Sequence, residues 1–150
     1  MNRRLRVLAL PVATVAALAA HAPPAGAQEG AYVVIVNQGN PVSAIPRQQL
    51  ADIFMKRLAE WPDGGGVVHP VDQPANASVR DAFSRGVHGK PAAAVASWWG
   101  QQMFSGRATP PPQRPNDRGV IAFVLGDASA VGYVTAGNTP PDVKVLHVTP

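Results

Sequence analysis

A six-residue apolar run, Ala31–Val36, constrains the fold more than any other feature of the 150-residue sequence. The run is rich in β-branched residues and stops at the turn-forming residues 37–41. Continuous apolar character over so few residues is typical of a strand that is covered on both faces, as in a parallel sheet. The run therefore predicts a central strand of a layered domain.

Four later segments combine apolar residues at helical spacing with residues that start helices. The predicted helices begin at Pro46, Ser78, Pro91 and Asn116 or Asp117. At the second of these, Ser78 and Asp81 fit a capping box, in which each residue binds a free backbone donor of the other. Short apolar segments at 67–71, 131–134 and 143–148 predict further strands. The resulting order predicts an α/β fold with an open, mostly parallel sheet flanked by helices.

The N-terminal residues 1–27 have the pattern of a secretory signal peptide. Three arginines (Arg3, Arg4 and Arg6) precede an apolar run that is too short to span a membrane, and Ala25-Gly26-Ala27 forms a cleavage site. We expect cleavage after Ala27. This leaves residues 28–150 as a single soluble domain, located in the periplasm or secreted.

The basic charge of the sequence lies mainly in that leader. The formal net charge is +4, from 13 basic and 9 acidic residues. Removing the three leader arginines leaves ten basic residues against nine acidic ones, a net charge of +1. No run of like charges remains, so we expect no nucleic-acid partner.

Catalytic and metal-binding motifs are absent from the sequence. It has no cysteine, no G-x-S-x-G turn, no H-E-x-x-H pair and no phosphate-binding glycine loop. His69, His88 and His147 lie far apart, without the spacing of metal ligands. We therefore expect no enzymatic activity, no cofactor and no metal site.

The segment 76–80 is the candidate binding site. Asn76, Ser78 and Arg80 lie where the second helix begins, and the free N–H groups of a helix start attract anions. The alternative is that Ser78 only caps the helix and Arg80 faces solvent. A second candidate is the pair Trp98-Trp99, whose side chains point about 100° apart, so that one can pack in the core while the other meets a ligand or partner.

Several segments also recur in a known order: 34–43, 50–54, 61–64, 78–83, 105–106, 110–112 and 131–134. This ordered set resembles the phosphate-binding components of bacterial ABC importers, which have the type 2 periplasmic-binding-protein fold. The resemblance covers about residues 31–148 and implies a single lobe of that fold. Members of the family hold phosphate between two lobes with an arginine and a Ser-Gly-Thr turn. Here Asp72 lies near the place of the arginine, and Ala77-Ser78-Val79 replaces the turn.

Two functions follow from the resemblance. The first is an exported solute-binding-protein-like domain that binds phosphate or another small anion for an ABC transporter, with its permease as a partner. A dimer partner or another chain could then supply the second lobe. The alternative is an interaction or sensory module that contacts another envelope protein and binds no solute.

Overall fold

The computed structural model describes residues 31–150, with the side chain of Asp63 left out, so the predicted signal peptide lies outside the described residues. The elements of this part are β1 (Tyr32–Asn37), β2 (Ala44–Pro46), α1 (Arg47–Phe54), β3 (His69–Pro70), α2 (Ser78–Phe83), α3 (Ala92–Phe104), α4 (Asp117–Gly126), β4 (Ala130–Thr135), β5 (Val143–Val145) and β6 (His147–Thr149). A π-helical turn, Ser84–His88, directly continues α2, and a short 3₁₀ turn spans Pro62–Gly64. None of the described helices is long and apolar enough to cross a membrane.

The main sheet has the strand order β3-β4-β1-β5. β1 is antiparallel to both of its neighbours, and within this sheet the parallel pair is β3 with β4. A second sheet pairs β2 with β6 in parallel. The α/β class is confirmed, but the prediction of a mostly parallel sheet is wrong. The prediction rested on the order of strands and helices and on short apolar strands such as β1. Such a strand records burial on both faces and carries no information about strand direction.

Helices cover both faces of the main sheet. On one face, Val34 and Tyr133 belong to a core with buried residues of α1 and α2. On the other, Ile35 and Val134 pack with buried residues of α4. This confirms that β1 is a central strand covered on both sides.

All four predicted helix starts are confirmed to within one residue. Pro46 and Pro91 directly precede α1 and α3, and the Asn116 side chain accepts a hydrogen bond from the Gly119 N–H at 3.0 Å. The helix predicted from Ser78 is present, but its capping box is wrong. Ala77 is the residue before α2 and makes no side-chain cap.

The acid of the predicted box, Asp81, is used elsewhere. Its carboxylate accepts a hydrogen bond from the Ala92 N–H at 2.9 Å and one from Arg85 at 2.7 Å. Asp81 therefore connects the π-helical turn, through Arg85, to the start of α3, instead of closing the first turn of α2.

The strands at the edges differ from the prediction in length. Segment 67–71 contributes a strand of only two residues, β3. Segment 143–148 divides at the buried Leu146 into β5, which pairs with β1, and β6, which pairs with β2. β2 itself was not predicted, because three residues around one apolar side chain, Ile45, give no periodic signal.

Candidate functional site

A cavity of about 390 Å³ opens where α2 and α4 begin; we call it the α2–α4 cavity. Its polar lining residues are Gln73, Ser78, Asn116, Asp117, Arg118, Thr135 and Asn138. The first N–H groups of a helix lack partners within the helix and carry a partial positive charge. The starts of two helices lie at this cavity, and at α4 the Gly119 N–H is already bound by the Asn116 side chain.

The structure brings one of the three predicted site residues to this cavity. Ser78 lines it and is exposed. Asn76 is exposed just before α2 but is not among the lining residues. Arg80 is 3% exposed, so it neither lines the cavity nor faces solvent.

Arg80 is held in a buried ion pair with Asp72. Its Nη1 also donates to the Gln73 carbonyl oxygen at 3.1 Å, while its buried Nε has no partner among the described residues. The Asp72 carboxylate accepts further hydrogen bonds from the Tyr133 hydroxyl and from the Gln73 N–H, the latter at 2.8 Å. The charge of this arginine is therefore compensated inside the protein.

Burial is the main cause of the pKa shifts of Asp72 and Tyr133. Burial raises the pKa of the Asp72 carboxyl, and the Arg80 guanidinium and the Tyr133 hydroxyl oppose that rise. Burial, together with the adjacent carboxylate, raises the pKa of Tyr133.

The spacing of Arg80 in the sequence is a signal for its burial. Arg80 lies three residues before Phe83 and seven before Val87, on the stripe of the helix that packs inward.

Asp117 organises the polar wall of the α2–α4 cavity. Its carboxylate accepts hydrogen bonds from Gln73 Nε2 at 2.9 Å, Asn138 Nδ2 at 2.8 Å and the Thr135 N–H at 3.1 Å. Burial alone would raise the pKa of Asp117, but these hydrogen bonds lower it. The cavity therefore contains one ionised carboxylate. The sequence predicts this residue only as a possible cap of the fourth helix.

The cation of the cavity is Arg118, the second residue of α4. It is exposed and makes no ion pair with the residues that the structure describes. A single guanidinium beside a single carboxylate leaves the side-chain charge near zero. The remaining attraction for an anion comes from the helix starts and from neutral donors such as Ser78 and Asn138.

A second cavity lies on the α1 side of the domain. This groove, of about 450 Å³, is lined by residues of α1, the π-helical turn and α3, and Trp98 forms part of its wall. Trp99 is 3% exposed and packs inward, so one indole of the pair is in the core, as predicted. The two rings meet edge to face, with centroids 4.7 Å apart.

No group of three potential ligands among the described histidines, aspartates and glutamates could hold a metal ion. His69 is 2.6 Å from the Asp127 carboxylate. His88 lines the groove beside α3, and His147 lies in β6. The three histidines therefore occupy separate parts of the fold.

Comparisons with known proteins show which proteins share this fold. No protein-family model and no curated protein matches the sequence. Solved structures do match: a protein described as a phosphate ABC transporter substrate-binding protein with bound phosphate, from Clostridium perfringens, aligns with a TM-score of 0.62 at 19% identity. The alignment covers 79% of this chain and 44% of that one. The chain has the fold of about half of such a protein.

Two further solved structures agree with this assignment. An ABC-type phosphate transport receptor from Vibrio cholerae aligns with a TM-score of 0.60 at 20% identity, over 79% of this chain and 46% of the receptor. A protein described as a candidate phosphate-binding protein from Planctomyces limnophilus gives 0.60 at 13% identity, over 79% and 41%. The chain thus spans less than half the length of the substrate-binding proteins that it resembles.

Proposed function

We propose that the chain works as one lobe of an exported solute-binding protein and that its ligand is a small anion, with phosphate the first candidate. The observation that carries the proposal is the shared fold. The fold is shared over 79% of the chain, and one of the proteins that share it has a structure with bound phosphate. By the same likeness, an ABC transporter permease is the proposed partner and the periplasm the proposed location.

The proposed binding site is the α2–α4 cavity. Ser78 would donate its hydroxyl, Arg118 would supply the positive charge, and Asn76 would stand beside the entrance. Arg80 would act indirectly. Its bond to the Gln73 carbonyl fixes the segment that leads into α2, while its charge stays with Asp72.

Affinity at this site is expected to be weak and sensitive to salt. The cavity is open, so a bound anion stays in contact with water, and interactions between exposed charges are screened. The ionised Asp117 also repels a dianion more strongly than a monoanion. A second lobe, from a second copy or another chain, would cover the ligand and strengthen every contact.

Calorimetric titration of phosphate at low salt, with sulfate as a comparison, tests the proposal. The full chain would be expressed with its leader and purified from the periplasm of a bacterial host, where an intact mass starting at Gln28 would support export. We expect Arg118→Ala to weaken phosphate binding several-fold, and the matched change Arg47→Ala, at an exposed arginine of α1, to leave it unchanged. Absence of heat up to millimolar phosphate would contradict the proposal.

A second candidate function is a module that keeps this fold and binds no solute. The pairing of Arg80 with Asp72 favours it, because that guanidinium is already compensated inside the protein. The same titration separates the two functions, since this second one requires that neither phosphate nor sulfate binds.

A further inference from the structure

Helix α3 has a surface unlike the rest of the domain. None of its 13 residues, Ala92–Phe104, is charged. Its inward side consists of Ala92, Val95 and Trp99, whereas Phe104 is 98% exposed and Met103 is 51% exposed. Large apolar side chains at such exposure, on a helix without charges, are typical of a surface that is covered in a complex.

The groove beside α3 extends this apolar surface inward. Its walls include the apolar side chains of Ala51, Met55, Val87, Val95 and Trp98. Trp98 is partly exposed there and is held by its edge-to-face contact with Trp99. A fixed aromatic wall beside a cavity of about 450 Å³ can receive one or two apolar side chains of a partner.

The charged residues that line the groove are both cations. Arg57 and Lys90 line it and none of its lining residues is a carboxylate, while the nearby Asp52 and Asp81 are each paired with an arginine. Arg57 is 3.3 Å from Asp52 but is still 59% exposed, and Lys90 forms no ion pair with any described residue. Arg107 lies just beyond the end of α3.

The third ionisable side chain of the groove lining, His88, adds no positive charge. Burial first, and then the nearby cations Arg80, Arg57 and Lys90, lower the pKa of His88 to about 4, against a smaller opposing effect of Asp52. His88 is therefore neutral at neutral pH, and the positive charge of the groove lining comes from Arg57 and Lys90.

The basic rim argues against a second copy of this chain as the occupant. α3 has Lys90 just before its first residue and Arg107 shortly after its last. Two α3 helices packed against each other, in either direction, would bring these cations together, because the carboxylate at the start of α3, Asp81, is already paired with Arg85. Such like-charge contacts cost affinity. A partner surface complementary to α3 and its groove would have apolar side chains surrounded by negative charges.

We propose that α3 and its groove bind a segment of a partner protein in which apolar side chains are flanked by carboxylates. Phe104 and Met103 would be covered by the apolar residues, and Arg57 and Lys90 would face the carboxylates. The groove shares no lining residue with the α2–α4 cavity, so this interaction is independent of anion binding.

Fluorescence anisotropy with two labelled synthetic peptides tests the proposal on the full chain. Both peptides would have 14 residues and the same leucine and phenylalanine residues at helical spacing. One would carry glutamates on the flanks and the other lysines. At low salt we expect the glutamate peptide to bind at least tenfold more tightly than the lysine peptide. The double variant Arg57→Glu, Lys90→Glu should abolish or reverse that preference.

Two further variants separate the contributions. Phe104→Ser should weaken the glutamate peptide several-fold, because it removes an exposed apolar anchor that no core residue needs. Arg118→Glu makes the same change of charge at the α2–α4 cavity and should leave peptide binding unchanged. All these side chains are exposed, and unchanged melting temperatures would show that the variants fold.

Three outcomes would overturn the proposal. The first is equal affinity for the two peptides, or no binding of either. The second is a preference for the glutamate peptide that survives both the charge reversal at Arg57 and Lys90 and the removal of these charges in Arg57→Gln, Lys90→Gln. The third is a dimer in sedimentation that dissociates on Phe104→Ser, because this would assign the surface to a second copy.

Discussion

The buried pair of Arg80 and Asp72 allows a quantitative test of the structure. Arg80→Met keeps an apolar side chain of similar length in place but removes the guanidinium. The Asp72 carboxylate, 4% exposed, then retains only the hydrogen bonds from the Tyr133 hydroxyl and the Gln73 N–H. Breaking a buried ion pair from one side leaves an uncompensated charge and costs about 3–5 kcal/mol. We therefore expect Arg80→Met to lower the free energy of unfolding by about that amount.

The double variant Asp72→Asn, Arg80→Met removes both charges and should recover most of the loss. The amide introduced in place of the carboxylate would still offer an oxygen to the Tyr133 hydroxyl and the Gln73 N–H. Replacing both members of a buried pair is often close to neutral, so the double variant should lie within about 1 kcal/mol of the wild type. The coupling between the two sites would then be at least about 2 kcal/mol.

Urea unfolding at neutral pH, followed by far-ultraviolet circular dichroism, measures these free energies. Tyr133→Phe serves as a comparison, because it removes the hydrogen bonds of the Tyr133 hydroxyl with the Asp72 carboxylate and the Gln73 N–H and leaves the ion pair intact. The reasoning would be refuted if Arg80→Met cost less than about 1 kcal/mol, the range expected for a solvent-exposed pair. The reasoning would also be refuted if the losses of unfolding free energy in the two single variants simply added in the double variant.

Three further changes test other parts of the fold by the same unfolding assay. His88 takes up its proton near pH 6.5 in the unfolded chain and near pH 4 in the folded protein. The free energy of unfolding should therefore fall by at most about 3 kcal/mol as the pH is lowered between those values. His88→Gln should remove most of that pH dependence. Gly132→Ala should cost about 1–3 kcal/mol, because its Cβ would lie 2.5 Å from Val120 Cγ1. Asn116→Ala removes the cap of α4 and should cost about 1 kcal/mol, with an unchanged fold by circular dichroism.

The sequence predicted most elements whose signal is local. Pro46, Pro91 and Asn116 mark helix starts through their own backbone and side-chain chemistry, and the structure places helices after each of them. β1 was predictable because its burial on both faces is recorded in six consecutive residues. These features depend on neighbours within one or two turns of chain.

Features that depend on distant partners were not predictable in this way. The direction of β1 is fixed by its pairing with β4, about a hundred residues later, and an apolar pattern does not record it. β2 is a strand because it pairs with β6. β6 begins directly after Leu146, the buried residue that separates it from β5. Such pairings are decided by tertiary packing and not by local propensity.

The candidate site shows the same division. Ser78 was placed at a helix start from its neighbours alone, and it lines the α2–α4 cavity. Its cavity partners Arg118 and Asn138 come from segments 40 or more residues away and could not be associated with it from one sequence. Asp81 was assigned to Ser78 by spacing, but the Ala92 N–H competes for the same carboxylate. Local rules describe what a side chain can bind, and the fold decides which option it uses.

The position of β1 at the centre of the sheet has a consequence for folding kinetics. Both strands that pair with it, β4 and β5, lie beyond residue 129, so no strand close in sequence can pair with it early. Closing loops of that length is slow because the entropy cost precedes the contacts that repay it. Helices of this chain can begin to form locally, but the central sheet assembles only when nearly all of the described residues are available to it.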